Sequence, residues 1–472
     1  ATITGYKGRA AYLHIPETVD GYTVVGIGSE AFRGNRTILS VDFPDSVIKI
    51  ESYAFAETGL TELELPKNLQ IMREHILQGN TGVKELTIPK TVTEMHTDRG
   101  AYFPKYGALE ESGIETVVFE DGITKIPYMA VRNTKNLTKV VIPETVTQIE
   151  SNAMEYCASL EKVELPENLT EIGSYAFSET GLKELKLPKN LQIMREHILQ
   201  GNTGVKELTI PKTVTEMHTD RGAYFPKYGA LEESGVETVV FEDGIAKIPY
   251  MAVRNAKNLT KIVISETVVK IESNAMEYCA SLEKVDLPEN VTEIGSCAFA
   301  ETGLKQIILP NSIETLGIYT FRGCTSLTSI TLSNKIEYIA ARMFENCTSL
   351  ETITLPDTVI TINDNAFNGC TSLKNIEWGK SLKYINEYAF TNCTSLTNIK
   401  IPDTVEKIEN GTFCNNSSLE KIELSKSLTW IGYRTFYNCD ALTSIEIPDS
   451  VTDLGDQIFY DCDALTDVKL GT

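Results

Sequence analysis

Histidine is scarce in this chain of 472 residues, with five in all, and tryptophan occurs twice. The histidines, His14, His75, His96, His197 and His218, form no H-E-x-x-H, and the chain has no Walker loop, no G-x-S-x-G and no dinucleotide fingerprint. The chemistries those motifs serve have no carrier here, so no enzyme activity and no cofactor are expected. Ten cysteines occur without a single C-x-x-C, which removes the usual metal-ligand spacing. No apolar run approaches the roughly 18 residues of a bilayer span, so no membrane insertion is expected within this chain. Basic residues are outnumbered 65 to 43, for a net charge of −22. That field repels phosphate backbones and anionic membranes and excludes nucleic acid as a partner. It leaves a basic partner, a neutral glycan or a divalent cation, and it also keeps a long open surface soluble. The start, Ala1-Thr-Ile-Thr-Gly5, is neither a Met start nor a signal peptide, and reads as a trimmed or mature chain.

What is present is a repeat. Phenylalanine recurs at Phe321, Phe344, Phe367, Phe390, Phe413, Phe436 and Phe459, each 23 residues after the last. Around it runs one pattern, clear in Leu350-x-x-Ile353-x-Leu355-Pro356-x-x-Val359-x-x-Ile362, then Ala366-Phe367 and Cys370. The phase reaches back through Phe299, Met276, Phe177, Met154, Phe55 and Phe32. I-x-L alternates as a half-buried strand does, and the Pro after it, with no N–H to donate, marks its end. V-x-x-I is a second short extended stretch. The A-F segment predicts one turn of helix or 3₁₀ with Phe pointing inward. One coil cannot bury its own apolar face, but a stack can. The expected fold is therefore an α/β repeat solenoid, a right-handed leucine-rich-repeat coil of about 19 turns, with a parallel sheet on one face and short helical or 3₁₀ turns and short strands elsewhere.

A larger repeat lies on top. Residues 59–180 and 181–302 align without gaps and differ at 13 of 122 positions, the mark of a recent tandem duplication. Each copy holds five coils, with inward positions expected in the first at Leu77, Phe103, Val131, Met154 and Phe177. The domain reading is an N-terminal cap over 1–30, with a hairpin-like turn at Asp20-Gly21, and a solenoid over 31–472 that ends in regular repeats from 303. The last segment, Leu465-x-x-Val468-x-Leu470, is a bare strand, compatible with a protein that continues past residue 472.

The runs Gly323-Cys-Thr-Ser-Leu327, Asn346-Cys-Thr-Ser-Leu350 and Asn392-Cys-Thr-Ser-Leu396, each after an inward Phe and before I-x-L-P or a close variant, resemble the BspA-like bacterial leucine-rich repeats. Nearly the whole chain fits. The opening, Ile3-Thr-Gly-Tyr-Lys-Gly8 through Val19-Asp-Gly21, is similar to the usual start of such arrays. The resemblance implies a secreted or cell-surface protein that acts in adhesion, with a host matrix or cell-surface protein as ligand. It supplies no catalytic residues.

Eight cysteines share one place, three residues after the inward Phe or Met: Cys157, Cys279, Cys324, Cys347, Cys370, Cys393, Cys439 and Cys462. Such a column of small side chains reads as packing, with the thiols buried. Paired carboxylates such as Glu161 and Glu164 follow the repeat, as on a solvated strand face.

Three features stand out as candidate binding surfaces. The insert 96–113 and its identical twin 218–235 lengthen two coils, and set Arg99, Tyr102, Lys105 and Tyr106, and Arg221, Tyr224, Lys227 and Tyr228, as basic-aromatic clusters on an acidic protein. The alternative is a structural bulge over the apolar outward positions Val118, Val141, Val240 and Val263. Tyr338, Tyr384 and Trp430 each precede an inward Ile and should face solvent in one column, where sugar rings could stack. The alternative there is the ordinary preference of aromatics for strands. The third is the sheet face with Thr331, Thr354, Glu377, Lys400, Glu423, Glu446 and Lys469 outward, small or charged and of mixed sign. The leading function is a protein-binding adhesion module. The alternatives are a glycan-binding module using the aromatic column, or a passive spacer.

Overall fold

The structure, a computed structural model, describes residues 1–96, 106–218 and 228–471. The chain divides into two compact units, Ala1–Val239 and Val240–Thr472. Each is a solenoid of stacked coils, and the coils build three ladders, the first of them broken into short sheets of two or three strands.

The I-x-L segments form the first ladder. In the first unit Glu85–Ile88, Thr116–Phe119 and Lys139–Val141 pair in parallel, Leu86 on Val117 on Val140. In the second unit Thr352–Thr354 pairs with Asn375–Glu377, and Asn398–Lys400 with Lys421–Glu423. The central residue of each strand faces the core and its neighbours face out. The proline that follows opens a β-turn: its carbonyl accepts the N–H of the inward residue three on, as from Val359 to Pro356 at 3.1 Å and from Val405 to Pro402 at 3.0 Å.

The V-x-x-I segments form the second ladder. In the first unit it runs Lys125–Ile126, Gln148–Ile149, Glu171–Ile172, Ile193–Met194. In the second unit six strands run from Tyr338–Ile339 to Asp453–Leu454, with Ile on Ile at every step but the last, where Leu454 stands on Ile431. Near the N-terminus Thr2–Ile3 and Tyr12–His14 take places in the second and first ladders. After them Thr18–Val19 and Tyr22–Thr23 pair antiparallel around Asp20 and Gly21, both at positive φ, as a two-residue hairpin turn needs.

The third ladder corrects an expectation. The A-F segments are neither α- nor 3₁₀-helical; among the described residues no segment is helical. The residues two before and two after the inward side chain lie in the left-handed region, as with Asn365 (φ 56°) and Gly369 (78°) around Phe367, or Tyr388 (57°) and Asn392 (61°) around Phe390. These left-handed residues, four apart, break any helical run, and alternate N–H groups (Asn365, Phe367, Gly369) point along the stack instead. Tyr388, Phe390 and Asn392 donate to the carbonyls of Asn410, Thr412 and Cys414 in the next coil, at 2.9, 2.9 and 3.0 Å. The left-handed region costs on the order of 1–2 kcal/mol for a residue with a Cβ. Inter-coil bonds of about 0.5–1.5 kcal/mol each offset it.

Inside, matched side chains stack. Phe344, Phe367 and Phe390 are fully buried, with ring centroids 5.2 and 5.0 Å apart and planes within 15°. Phe32 and Phe55 stack likewise at 5.1 Å in the first unit. In the lengthened coil Phe103 lies outside the described residues, and the inward place belongs to the fully buried Leu109. Ala108, just before it, accepts the N–H of Ile76 at 2.9 Å.

The cysteine column is buried, apart from the half-buried Cys462, and all ten cysteines are free thiols. Each thiol of the column donates to the carbonyl of the inward residue one coil back: Cys347 to Phe321 and Cys370 to Phe344 at 3.1 Å, Cys393 to Phe367 at 3.2 Å. Where cysteine is absent another donor stands in, Asn416 to Phe390 at 3.0 Å and Thr134 to Leu109 at 3.4 Å. Burial pushes the Cys370 thiol up to about 12 and the Cys324 thiol up to about 11. These sulfurs stay protonated donors at neutral pH.

Candidate binding surfaces

The insert leaves and re-enters the stack at one point. His96 and Gly107 form an antiparallel bridge at its base, and Ala108 donates to Met95 at 2.9 Å. Gly107 is required there, because a Cβ would sit 2.7 Å from the Met129 carbonyl. Its N–H donates to Glu110 at 2.7 Å, and the buried Glu110 carboxylate also takes Arg132 at 2.6 Å. Arg132 reaches on to Glu155 at 2.7 Å. Burial works against the Arg132 charge, but its hydrogen bond to Glu155 and the field of Glu110 outweigh it and hold its pKa above the ordinary arginine value. The base is therefore braced by a desolvated ion-pair network. On its other side Tyr106 packs on His75 at 5.2 Å, which stacks on Tyr53 at 5.1 Å. The twin repeats this: His218 bridges Gly229, Tyr228 packs on His197 at 5.2 Å, and His197 stacks on Tyr175 at 5.0 Å. Tyr106 and Tyr228 are thus half-buried wall residues at the loop bases. Arg99, Tyr102, Lys105, Arg221, Tyr224 and Lys227 lie outside the described residues.

Both bases stand in the first unit, at the second ladder. Between them lies a groove of about 530 Å³ whose wall includes Tyr128, Glu150, Glu171, Gly173 and Arg195. At one end Tyr128 meets His96 edge-on at 5.2 Å. At the other Arg195 donates to Glu171 at 2.9 Å and to Glu216, two residues before His218, at 3.2 Å. The floor is low because Gly173 cannot carry a side chain: a Cβ would come within 2.5 Å of the Ser151 nitrogen. A second, wider trough lies on the first ladder near the N-terminus, with Tyr12, His14, Asp42, Glu64 and Glu85 in its wall and His14 Nδ1 2.7 Å from Asp42.

The apolar outward positions divide. Val141 and Val263 are exposed, Val118 and Val240 half-buried, and all four sit on the first ladder, whereas the loop bases stand on the second. The outward residues Thr331, Thr354, Glu377, Lys400, Glu423, Glu446 and Lys469 are all exposed. Some pair across strands, Thr354 to Glu377 at 2.9 Å and Lys400 to Glu423 at 3.5 Å.

The aromatic column lies on one register line of the second unit: Tyr338, Thr361, Tyr384, Lys407, Trp430, Asp453. Tyr338 is exposed, and Tyr384 and Trp430 are half-buried. Among the described residues no group of three or more His, Cys, Asp or Glu is placed to hold a metal ion. Among them no helix is long and apolar enough to cross a membrane.

Comparison with known proteins adds a family. The model of the BspA type leucine rich repeat region, in six copies, matches residues 11–99, 105–222, 246–358 and 338–466. A leucine-rich repeat protein from Bacteroides ovatus shares 21% identity over 99% of this chain and 94% of its own, with a TM-score of 0.55. One from Eubacterium ventriosum shares 22% over 74% and 83%, with a TM-score of 0.40. A leucine rich cell surface protein from Faecalibacterium prausnitzii shares 21% over 99% and 90%, with a TM-score of 0.32. No curated protein matches the chain.

Proposed function

Because this chain belongs to the BspA-type leucine-rich-repeat family, and its stacked coils leave only their outer faces to meet other molecules, we propose that it is a non-enzymatic binding module. Its place is the bacterial surface or the extracellular space, and its ligand a protein of a host or neighbouring cell. The observation that carries this reading is the pair of identical loops whose bases open on one ladder of one unit, with the groove of Tyr128, Gly173 and Arg195 between them. Arg99, Tyr102 and Lys105, with Arg221, Tyr224 and Lys227, supply basic and aromatic anchors to these loops. Seven of the ten thiols are buried, which suits an oxidising compartment, where an accessible free cysteine would be a liability.

Two equivalent sites on one chain give avidity without new contacts. The test compares the full chain with a version lacking residues 181–302, a whole number of coils, on immobilised extracellular-matrix proteins and on intact bacterial and epithelial cells. On a dense surface the full chain should hold about 10²-fold more tightly. Equal apparent affinity would overturn the reading.

A further inference from the structure

The second ladder of the second unit carries an aromatic ring on every second strand, at Tyr338, Tyr384 and Trp430, with Thr361 and Lys407 on the strands between. Strands stack about 4.8 Å apart, so the rings recur about every 10 Å along one register line. An extended β-1,4-linked sugar chain has the matching symmetry. Each residue is flipped relative to the last, so the same apolar ring face returns at every second sugar.

The surroundings suit hydroxyl groups. Trp430 turns its indole N–H into the protein, so the part of the ring left accessible is carbon, the part that stacks on a pyranose face. Alongside the rings runs a row of half-buried amides. Asn386 donates to Asn363 at 3.2 Å, and Asn410 donates to Glu387 at 2.8 Å. Each amide or carboxylate here has further acceptor capacity for sugar hydroxyls. Charge narrows the class. Asp364, Glu387 and Asp453 border or join the row, Lys383 is held by Glu406 at 2.9 Å, and Lys407 is the one exposed cation on the line itself. With a net charge of −22, the chain repels uronic-acid and sulfated polymers.

We propose that Tyr338, Tyr384 and Trp430 form a binding site for a neutral, extended β-linked polysaccharide laid along the stack, every second sugar on a ring. The site uses none of the loop residues of the protein-binding reading, so either can fail alone.

Only Trp378 and Trp430 are present, so Trp378→Phe leaves one indole as the reporter. The full-length Trp378→Phe chain is titrated with cellohexaose, xylohexaose and mixed-linkage β-glucan, with alginate and hyaluronan as acidic counterparts. Affinity electrophoresis follows binding without the tryptophan. The expected result is a saturable change in Trp430 emission with at least one neutral chain and none with the acidic ones. Hexasaccharides should bind better than disaccharides, because they reach all three rings and a disaccharide only one. Tyr338→Ala, Tyr384→Ala and Trp430→Ala should each weaken binding about tenfold. Tyr384→Phe should keep it, and circular dichroism should show each variant folded. No retention by any neutral β-linked chain would overturn the proposal, as would retention unchanged in the triple alanine variant or a preference for the acidic polymers.

Discussion

Phe367→Ala probes the stack at its most regular point. Phe367 is fully buried between Phe344 at 5.2 Å and Phe390 at 5.0 Å, both nearly parallel to it. Truncating a buried Phe costs about 3–5 kcal/mol. Two aromatic contacts are lost together, so the upper part of that range applies, about 4–5 kcal/mol. In a solenoid this loss is local, because a coil touches only its neighbours. Hydrogen exchange followed by mass spectrometry reads it directly. The turn-ladder amides of Phe344 and Asn346, which donate to Ala366 and Asn368 at 2.8 Å, and those of Asn365 and Phe367 should exchange about 10³-fold faster. Amides in coils several turns away should hardly change. Tyr388→Ala, an exposed residue in the turn segment of the next coil, should cost under about 1 kcal/mol. A Phe367→Ala protein whose exchange is unchanged, or uniformly faster along the whole chain, would refute the stacked-column account.

Other outcomes follow from the same geometry. In native protein at pH 8 the seven fully buried thiols should resist alkylation while Cys297, Cys414 and Cys462 label slowly, since burial raises the pKa of these three and so thins the thiolate; unfolding in urea should expose all ten. Cys370→Asn should be tolerated better than Cys370→Val, because Asn416 already fills the equivalent place as a donor; the valine leaves the Phe344 carbonyl without its thiol donor, about 1–3 kcal/mol by urea unfolding. Gly173→Ala should destabilise by about 1–3 kcal/mol, since the added carbon meets the Ser151 nitrogen. Glu110→Gln should cost roughly 3–5 kcal/mol, discounted for the remaining exposure of Arg132, and should loosen the loop base, seen as faster exchange at Gly107.

Much of this was legible in the residues. The alternation in Ile353-x-Leu355 located the parallel ladder, Val359 and Ile362 marked a second short extended stretch without its parallel pairing, and the columns of matched Phe followed from the 23-residue period. The A-F turn was misread because a segment of that length fits a 3₁₀ turn equally well. Its signal was the Asn or Gly two residues either side of Phe367, which favours left-handed backbone over helix. Phe103 was expected at the inward place of its coil, but Ala108-Leu109 carries the small-then-large pair that holds it. The thiol column read as packing; its hydrogen-bonding role was hinted at by Asn416 and Thr134 standing in the same place. The groove was invisible in sequence, because it arises from Gly173 lying between side chains of neighbouring coils and only stacking brings those together.

The most direct test of the binding account is the full-length chain with one loop or both disarmed, as Arg99→Ala/Tyr102→Ala and Arg221→Ala/Tyr224→Ala. Retention is measured on the same matrix and cell surfaces at high and low ligand density. One disarmed loop should lower retention on dense surfaces about 10²-fold while leaving sparse-surface binding within about twofold, and two should abolish it. Retention that is the same with none, one or both loops altered would contradict the account.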